Sequence, residues 1–426
     1  MDKKRRMRRK RRSAVVYSNP KGGVCMGKQA ITAGAAQVRA YRLAAHHLAR
    51  PLPAGAFAQA AGVCGVQNSP PGAFETALWN RVRPGAPAGM QAALYEEKTL
   101  LQAWSYRGAP VVFPTQESDI FLAPLRAEPG EEPWIYTRGI TLALDALGLT
   151  FGELLPLVAA AVRGLGDREV ESKEALDQIL ADAIAPALSA EKRAIWAQPS
   201  PYGRPDRQTL GGAAVSFLLR PCAFGGEIVF GRRAGQSPTF ATYRHWLGRD
   251  FAPRPDAARR LARKFLHAYG PATVRDFAAW LGSSPAQAKR LWGLAGEKVR
   301  ISVDGRAGEM LPEDLPALQR AEFGPRRWIL LGPHDPYLDA RDHATLLPDA
   351  AKQRLVWRTV ANPGAILCDG RIVGIWKVKN AAQGLDVTVQ PFEPLPPAAL
   401  QTLQAEAEAY AAFRQKTLRG WKVEEP

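Results

Sequence analysis

Residues 256–311 read DAARRLARKFLHAYGPATVRDFAAWLGSSPAQAKRLWGLAGEKVRISVDGRAGEML, and this stretch decides the fold. Ala258, Leu261, Phe265 and Leu266 recur at helical spacing over about 256–269 with arginines on the opposite side, and Gly270-Pro271 stops the helix. Thr273 and Asp276 form a capping box for a second helix carrying Phe277, Ala278 and Leu281 as far as Gly282. Ser284 and Pro285 supply a cap and a first-turn residue for a third helix. It points Ala288, Leu291 and Trp292 inward and Gln287, Lys289 and Arg290 outward. VRISV, the turn dipeptide Asp304-Gly305 and a return strand follow. Three helices and a two-stranded hairpin make a winged helix, whose third helix commonly enters a DNA groove.

Working outward, the same order occurs twice more, less sharply. Helices at 37–48, 53–62, 71–82 and about 88–98 precede the strand pair LLQAWSYRGAPVVFP. Helices near 172–185, 189–197 and 208–220 precede the strands EIVFGRR and PTFATYR. In the C-terminal part, 365–379 and 385–392 alternate like antiparallel strands, and an amphipathic helix runs from about Pro397 to Lys416. The predicted class is mainly α with small β hairpins, an α+β chain of tandem winged-helix units with a small C-terminal antiparallel sheet. The expected division is a disordered basic tail at 1–30, a first unit at 31–128, a linker (129–165) and second unit at 129–250, a third unit at 251–325, and a strand cap with final helix at 326–426.

Composition narrows the partners. With 57 Lys and Arg against 40 Asp and Glu, the chain carries a formal +17, which points to a polyanion such as nucleic acid. Residues 1–12 hold nine basic side chains against Asp2, a run that repels itself and reads as a solvated tail. Cys25, Cys64, Cys222 and Cys368 show no metal-ligand spacing and read as reduced thiols of a soluble cytoplasmic protein. No apolar run reaches the ~18 residues a membrane span needs. KGGVCMGK at 21–28 imitates a phosphate-binding loop, but Gln29 stands where the magnesium-binding Ser or Thr belongs, so nucleotide binding is not expected.

GVQNSPPGAF at 65–74 places Gln67, Asn68 and Ser69 before two prolines. From residue types alone this is a helix start, with Ser69 capping backbone N–H groups and Gln67 and Asn68 bonding a tight turn. GVQNSPPGAFETALWNRV, SYRGAPVV, LARKFLHAYGPATVRDFAAWLG, GPHDPYLDARD at 332–342, and DGRIVGIWKVK with LDVTVQPFEPLP resemble, in that order, the AlkZ-like (YcaQ-like) winged-helix DNA glycosylase family. The resemblance covers residue 30 to the C terminus. It implies a C-shaped body around duplex DNA and hydrolysis of the N-glycosidic bond of bulky N7-alkylated purines, including crosslinks, in repair or self-protection, without metal or organic cofactor.

The family's catalytic Gln-x-Gln or Gln-x-Asp motif falls on Gln67 and Ser69, with the proline at Pro71; the first position matches and the second departs. A weaker or altered activity is therefore expected, with Gln67 orienting a water and mattering more than Ser69. Asn68, Arg39, Arg42, Arg107, Arg232, Arg233, Lys289, Arg290, Lys377 and Lys379 are the candidate DNA contacts, the basic ones by placement on expected solvent faces. In the 332–342 loop, Asp335 and Pro336 read as a structural turn, and Asp335, Tyr337, Arg341 and Asp342 receive no chemical role. The alternative functions are a non-catalytic DNA-binding protein of the same fold and a transcription regulator. The expected state is a cytoplasmic monomer, nucleoid-associated when bound to DNA.

Overall fold

The computed structural model describes residues 31–131, 137–202, 205–235, 237–381 and 384–425. The basic tail, the KGGVCMGK segment and Cys25 lie outside the described residues.

The 256–311 stretch folds as its caps dictate. Helices span Ala257–Tyr269, Val274–Leu281 and Pro285–Leu294, and strands Val299–Val303 and Arg306–Met310 pair antiparallel. The Thr273 hydroxyl accepts from the Asp276 N–H while the Asp276 carboxylate accepts from the Thr273 N–H, so two of the helix's unpaired donors are satisfied reciprocally. Ser284 caps the third helix through the Gln287 N–H. Gln287 itself is a correction. It is buried rather than outward, donating through Nε2 to the carbonyls of Pro124 and Arg126 and so joining this unit to the first one.

In the first part, helices Ala35–Ala45, Phe57–Gly62, Ala73–Arg81 and Pro87–Tyr95 precede strands Leu100–Trp104 and Pro110–Pro114. Val66–Gln67, inside the GVQNSPPGAF stretch, adds a third strand paired with Pro110–Pro114. In the middle part the helices Lys173–Ile184, Ala190–Trp196 and Leu210–Phe224 lead to strands Ile228–Phe230 and Thr239–Thr242. The segment read as a linker at 129–165 instead contains helices Thr141–Leu147 and Phe151–Arg163, whose Leu147, Leu154, Val158 and Val162 fill the middle core. Its capping box at Thr150 and Glu153 has the same reciprocal form as the one at Thr273.

The C-terminal sheet has five strands in the order Trp328–Leu331, Gly364–Cys368, Arg371–Ala381, Gly384–Pro391 and Thr417–Val423. It departs from the expectation at its last member, a strand after the helix Pro397–Phe413 that pairs parallel with Gly384–Pro391. The connecting helix makes this possible, since parallel neighbours need a crossover rather than a tight turn. A second parallel pair joins Ile31–Ala33 to Val299–Val303.

The result is a mixed, mainly helical chain whose hydrophobic clusters cross the sequence. Phe265, Phe277, Trp280 and Trp292 share a cluster with Tyr106, Phe113 and Phe121, and Trp280 stacks on Tyr106 with centroids 4.4 Å apart. The helix Ala73–Arg81 packs through Trp79 on Tyr410 and Phe413 of the last helix. The turn after Trp104 is thereby pressed against the end of the Val274–Leu281 helix.

Candidate active site

The short strand Val66–Gln67 ends beside the helix Ala73–Arg81, and the chain between them is held by Asn68 rather than Ser69. Asn68 Oδ1 accepts from the Gly72 N–H at 2.7 Å, its Nδ2 donates to Gln102 Oε1 at 2.9 Å, and its own N–H donates to the Pro110 carbonyl. Gly72, at φ 89°, takes the N-cap position with no side-chain cap. The expected serine cap is therefore corrected: the side chain that reaches the N–H before the helix comes from four residues upstream. Asn68 is buried and fully engaged, so it does not lie on a DNA-facing surface in this state. Ser69 remains half-buried, with its carbonyl 3.5 Å from Gln67 Nε2.

Gln67 is buried, and its amide is oriented by Arg107. The Arg107 guanidinium donates through Nη1 to the Trp280 carbonyl at 2.8 Å, and through Nη2 both to Asp339 Oδ2 at 2.8 Å and to Gln67 Oε1 at 3.3 Å. A guanidinium offers only donors, so the amide oxygen, not the nitrogen, must face it. Arg107 adopts φ 55° and ψ 13°, a left-handed conformation that costs roughly 1–2 kcal/mol for a residue with a Cβ and is offset by these hydrogen bonds. Gly282 is required opposite it: its own φ is 71°, and a Cβ there would lie 3.0 Å from Arg107 Cα. Burial opposes the Arg107 charge, but the Asp339 carboxylate holds its pKa above the ordinary arginine value. It is therefore a permanent cation.

Asp339 and His334 come from the 332–342 loop. Burial lowers the His334 pKa, against Asp339 and with the help of Arg107, so its imidazole is neutral at pH 7. The loop is pinned by two ion pairs inside the protein. Asp335 accepts both guanidinium nitrogens of Arg81 at 2.7 and 2.8 Å, with both side chains at most 1% exposed, and also caps the Tyr337 N–H. Asp342 accepts both nitrogens of Arg42 at 2.8 and 3.0 Å. Burial acts against both partners of the second pair, yet their mutual attraction raises the arginine's pKa and lowers the aspartate's. The expectation that Arg42 faces solvent is thus corrected; its charge is consumed in positioning the loop. Glu75, the nearest carboxylate to Ser69 in sequence, is likewise committed to Gln91 and Arg414.

The remaining basic candidates are scattered. Arg39 is half-buried and donates to the carbonyls of Thr345 and Asp369. Arg290 pairs with Glu128 and Glu131, and exposed Arg232 pairs with Glu96, while Arg233 is half-buried. Lys289, Lys377 and Lys379 are exposed. Only Arg107 of the basic set joins Gln67. Asp339 and His334 were missed by sequence reasoning. The signal available was the charge density of GPHDPYLDARD, whose carboxylates inside a folded chain need partners.

The arrangement can hold a water against a sugar. Gln67 Oε1 and Asp339 Oδ2 share one donor nitrogen, so two acceptor oxygens are held in fixed orientation around a single cation. Among the described residues no group of three or more His, Cys, Asp or Glu is placed to hold a metal ion.

With this geometry in view, the comparisons with known proteins are specific. A family model described as DNA glycosylase AlkZ-like matches residues 60–413. An interstrand DNA cross-link repair glycosylase from Streptomyces sahachiroi is 27% identical over 311 residues, which is 69% of this chain and 73% of that protein. The solved structure of the Streptomyces sahachiroi DNA glycosylase AlkZ matches with a TM-score of 0.72 at 22% identity, covering 92% of this chain and 100% of that one. At that identity the structural likeness speaks for the fold.

Proposed function

The chain belongs to the AlkZ-like DNA glycosylase family, and from that membership we propose that it is a monofunctional glycosylase hydrolysing the N-glycosidic bond of bulky N7-alkylated purines in duplex DNA, including those in interstrand crosslinks. The name of the Streptomyces sahachiroi relative supports the crosslink part of this reading. In it the three helix–hairpin units are tandem winged helices of a concave monomer, with the boundaries expected from sequence, and Lys289, Lys377 and Lys379 meet phosphates. A crosslinked base is tethered to the opposite strand and cannot swing fully into a deep pocket, so a groove-side approach suits it.

N7-alkylation gives the purine a positive charge, so the base leaves as a neutral group and needs little acid assistance. The protein's task is to place water at the C1′ face opposite the departing base and to stabilise an oxocarbenium-like transition state. The observation that carries the reading is the fixed Gln67 amide. Its oxygen is turned by Arg107 and its backbone is paired in a strand, so it orients a nucleophile without searching rotamers. Ser69 is not a base at neutral pH, and its contribution is the smaller of the two.

The test is excision from duplex oligonucleotides carrying N7-methylguanine or an N7-linked crosslink, read as alkali-sensitive abasic sites. The wild-type protein is expected to excise the base from both, Gln67→Ala to bind DNA and excise roughly 10²–10³-fold more slowly, and Ser69→Ala to retain more of the rate. A wild-type protein that binds and excises neither substrate defeats the enzyme reading.

A further inference from the structure

We infer that Asp339 is the carboxylate of the Gln67 site and accepts the proton of the attacking water, the role that Ser69 cannot fill. The inference rests on the glycosylase reading above and names a catalytic residue within it.

Arg107 Nη2 donates to Asp339 Oδ2 at 2.8 Å and to Gln67 Oε1 at 3.3 Å. Both acceptors are anchored on one nitrogen, which brings the two oxygens within the span of a single water bonded to both. Among the described residues Oδ1 has no comparably close cation; Arg341 stands 3.9 Å away. The carboxylate therefore keeps lone pairs for the water, unlike Asp335 and Asp342, each of which is gripped by two nitrogens of one arginine. The other nearby carboxylate, Glu75, is held by Arg414 and Gln91. Asp339 is partly open to solvent, as a group that meets water must be, whereas Asp335 is sealed.

The step balances without a co-reactant. The C1′–N9 bond breaks with its electron pair going to the cationic purine, which leaves neutral. The water oxygen then bonds to C1′, giving a protonated hydroxyl, and that proton passes to Asp339 and on to solvent. A protonated hydroxyl is a far stronger acid than any carboxylic acid, so a carboxylate already paired with an arginine is basic enough. Before that transfer its negative charge also opposes the Arg107 cation beside the developing oxocarbenium.

Single-turnover excision of N7-methylguanine with Asp339→Asn separates the outcomes. The amide keeps an oxygen for Arg107 but cannot take a proton. The expected result is DNA binding and a melting temperature close to wild type, with excision slowed by roughly 10²–10⁴-fold. In the double variant Ser69→Asp with Asp339→Asn, a carboxylate placed at the second motif position is expected to recover at least roughly tenfold of the loss. Wild-type excision unchanged in Asp339→Asn overturns the inference and leaves the glycosylase reading intact. A loss that Ser69→Asp does not relieve, in a protein with lowered melting temperature, assigns Asp339 a structural role and also overturns it. A wild-type protein that excises nothing removes both readings together.

Discussion

Two hairpin regions of the molecule each present an arginine over a tyrosine ring, and they do different things with it. Arg107 lies 4.9 Å from the Tyr106 ring centroid and Arg232 lies 5.3 Å from that of Tyr95. Arg107 is one-fifth exposed and donates to three fixed acceptors from three separate segments. Arg232 pairs with Glu96 where both side chains are more than half exposed. Solvent and salt screen the second pair to within ~1 kcal/mol of nothing, while the first has lost most of its water and needs an acceptor oxygen at each of its three positions. Two hairpin arginines of the same charge therefore differ in the number of fixed acceptors they meet and in their access to water.

The loop that carries Asp339 is where the largest effect is expected. Asp335→Ala leaves the Arg81 guanidinium buried and unpaired, and is expected to destabilise the protein by about 3–5 kcal/mol in urea unfolding and to abolish excision by releasing the loop. A change below ~1 kcal/mol would mean that the loop is held by something other than this pair. Gln67→Ala comes next, with excision expected to fall by roughly 10²–10³-fold and stability to change little. Arg107→Lys keeps the charge but replaces a planar fork with a single ammonium, which cannot reach the Trp280 carbonyl, Asp339 and Gln67 in the same geometry. A rate loss of roughly tenfold or more, with binding of unmodified duplex within about twofold, is the expected signature.

The exposed hairpin gives the opposite expectation. Arg232→Ala is expected to change stability by less than ~1 kcal/mol. If the arginine meets a phosphate, its removal weakens DNA binding uniformly across sequences and lowers the salt slope by about 1. The smallest effect concerns His343, which stacks face to face on Trp357 with centroids 3.7 Å apart. Burial, aided by Arg341, pushes its pKa down to about 4. The unfolded imidazole takes its proton near pH ~6.5, so the folded state is stabilised above that value and the contribution is lost as the pH falls from ~6.5 toward 4. Thermal melts across that window should fall less steeply for His343→Phe than for the wild type.

What could be read from the sequence was what is decided locally. The Thr273–Asp276 box and the Ser284 cap involve residues three positions apart, and the helices they start lie where the spacing placed them. Gln67 is legible as a candidate through the family resemblance. Its surroundings are not: Arg107 and Asp339 stand 40 and 272 positions downstream and meet in one hydrogen-bonded group only in the folded chain. Arg42 shows the same limit from the other direction. An arginine on a helix looks solvent-facing until an aspartate 300 residues away folds over it. The helix start after Ser69 was misread for a shorter-range reason, since an Asn and a Ser one residue apart are both good capping groups and only the backbone path through Gly72 chooses between them.

The helix that follows Gln67 is braced by residues that the ribosome adds long after it. Glu75 pairs with Arg414, Arg83 with Glu406, and Trp79 stacks on Phe413, contacts spanning more than 320 positions. At the usual elongation speed of about 5–20 residues per second, the motif waits roughly 20–70 s between its own synthesis and the arrival of these partners. A chain terminated before residue 406 would carry Gln67 without this support. For the same reason, a C-terminal deletion that leaves the Gln67 motif untouched should behave as an active-site mutant.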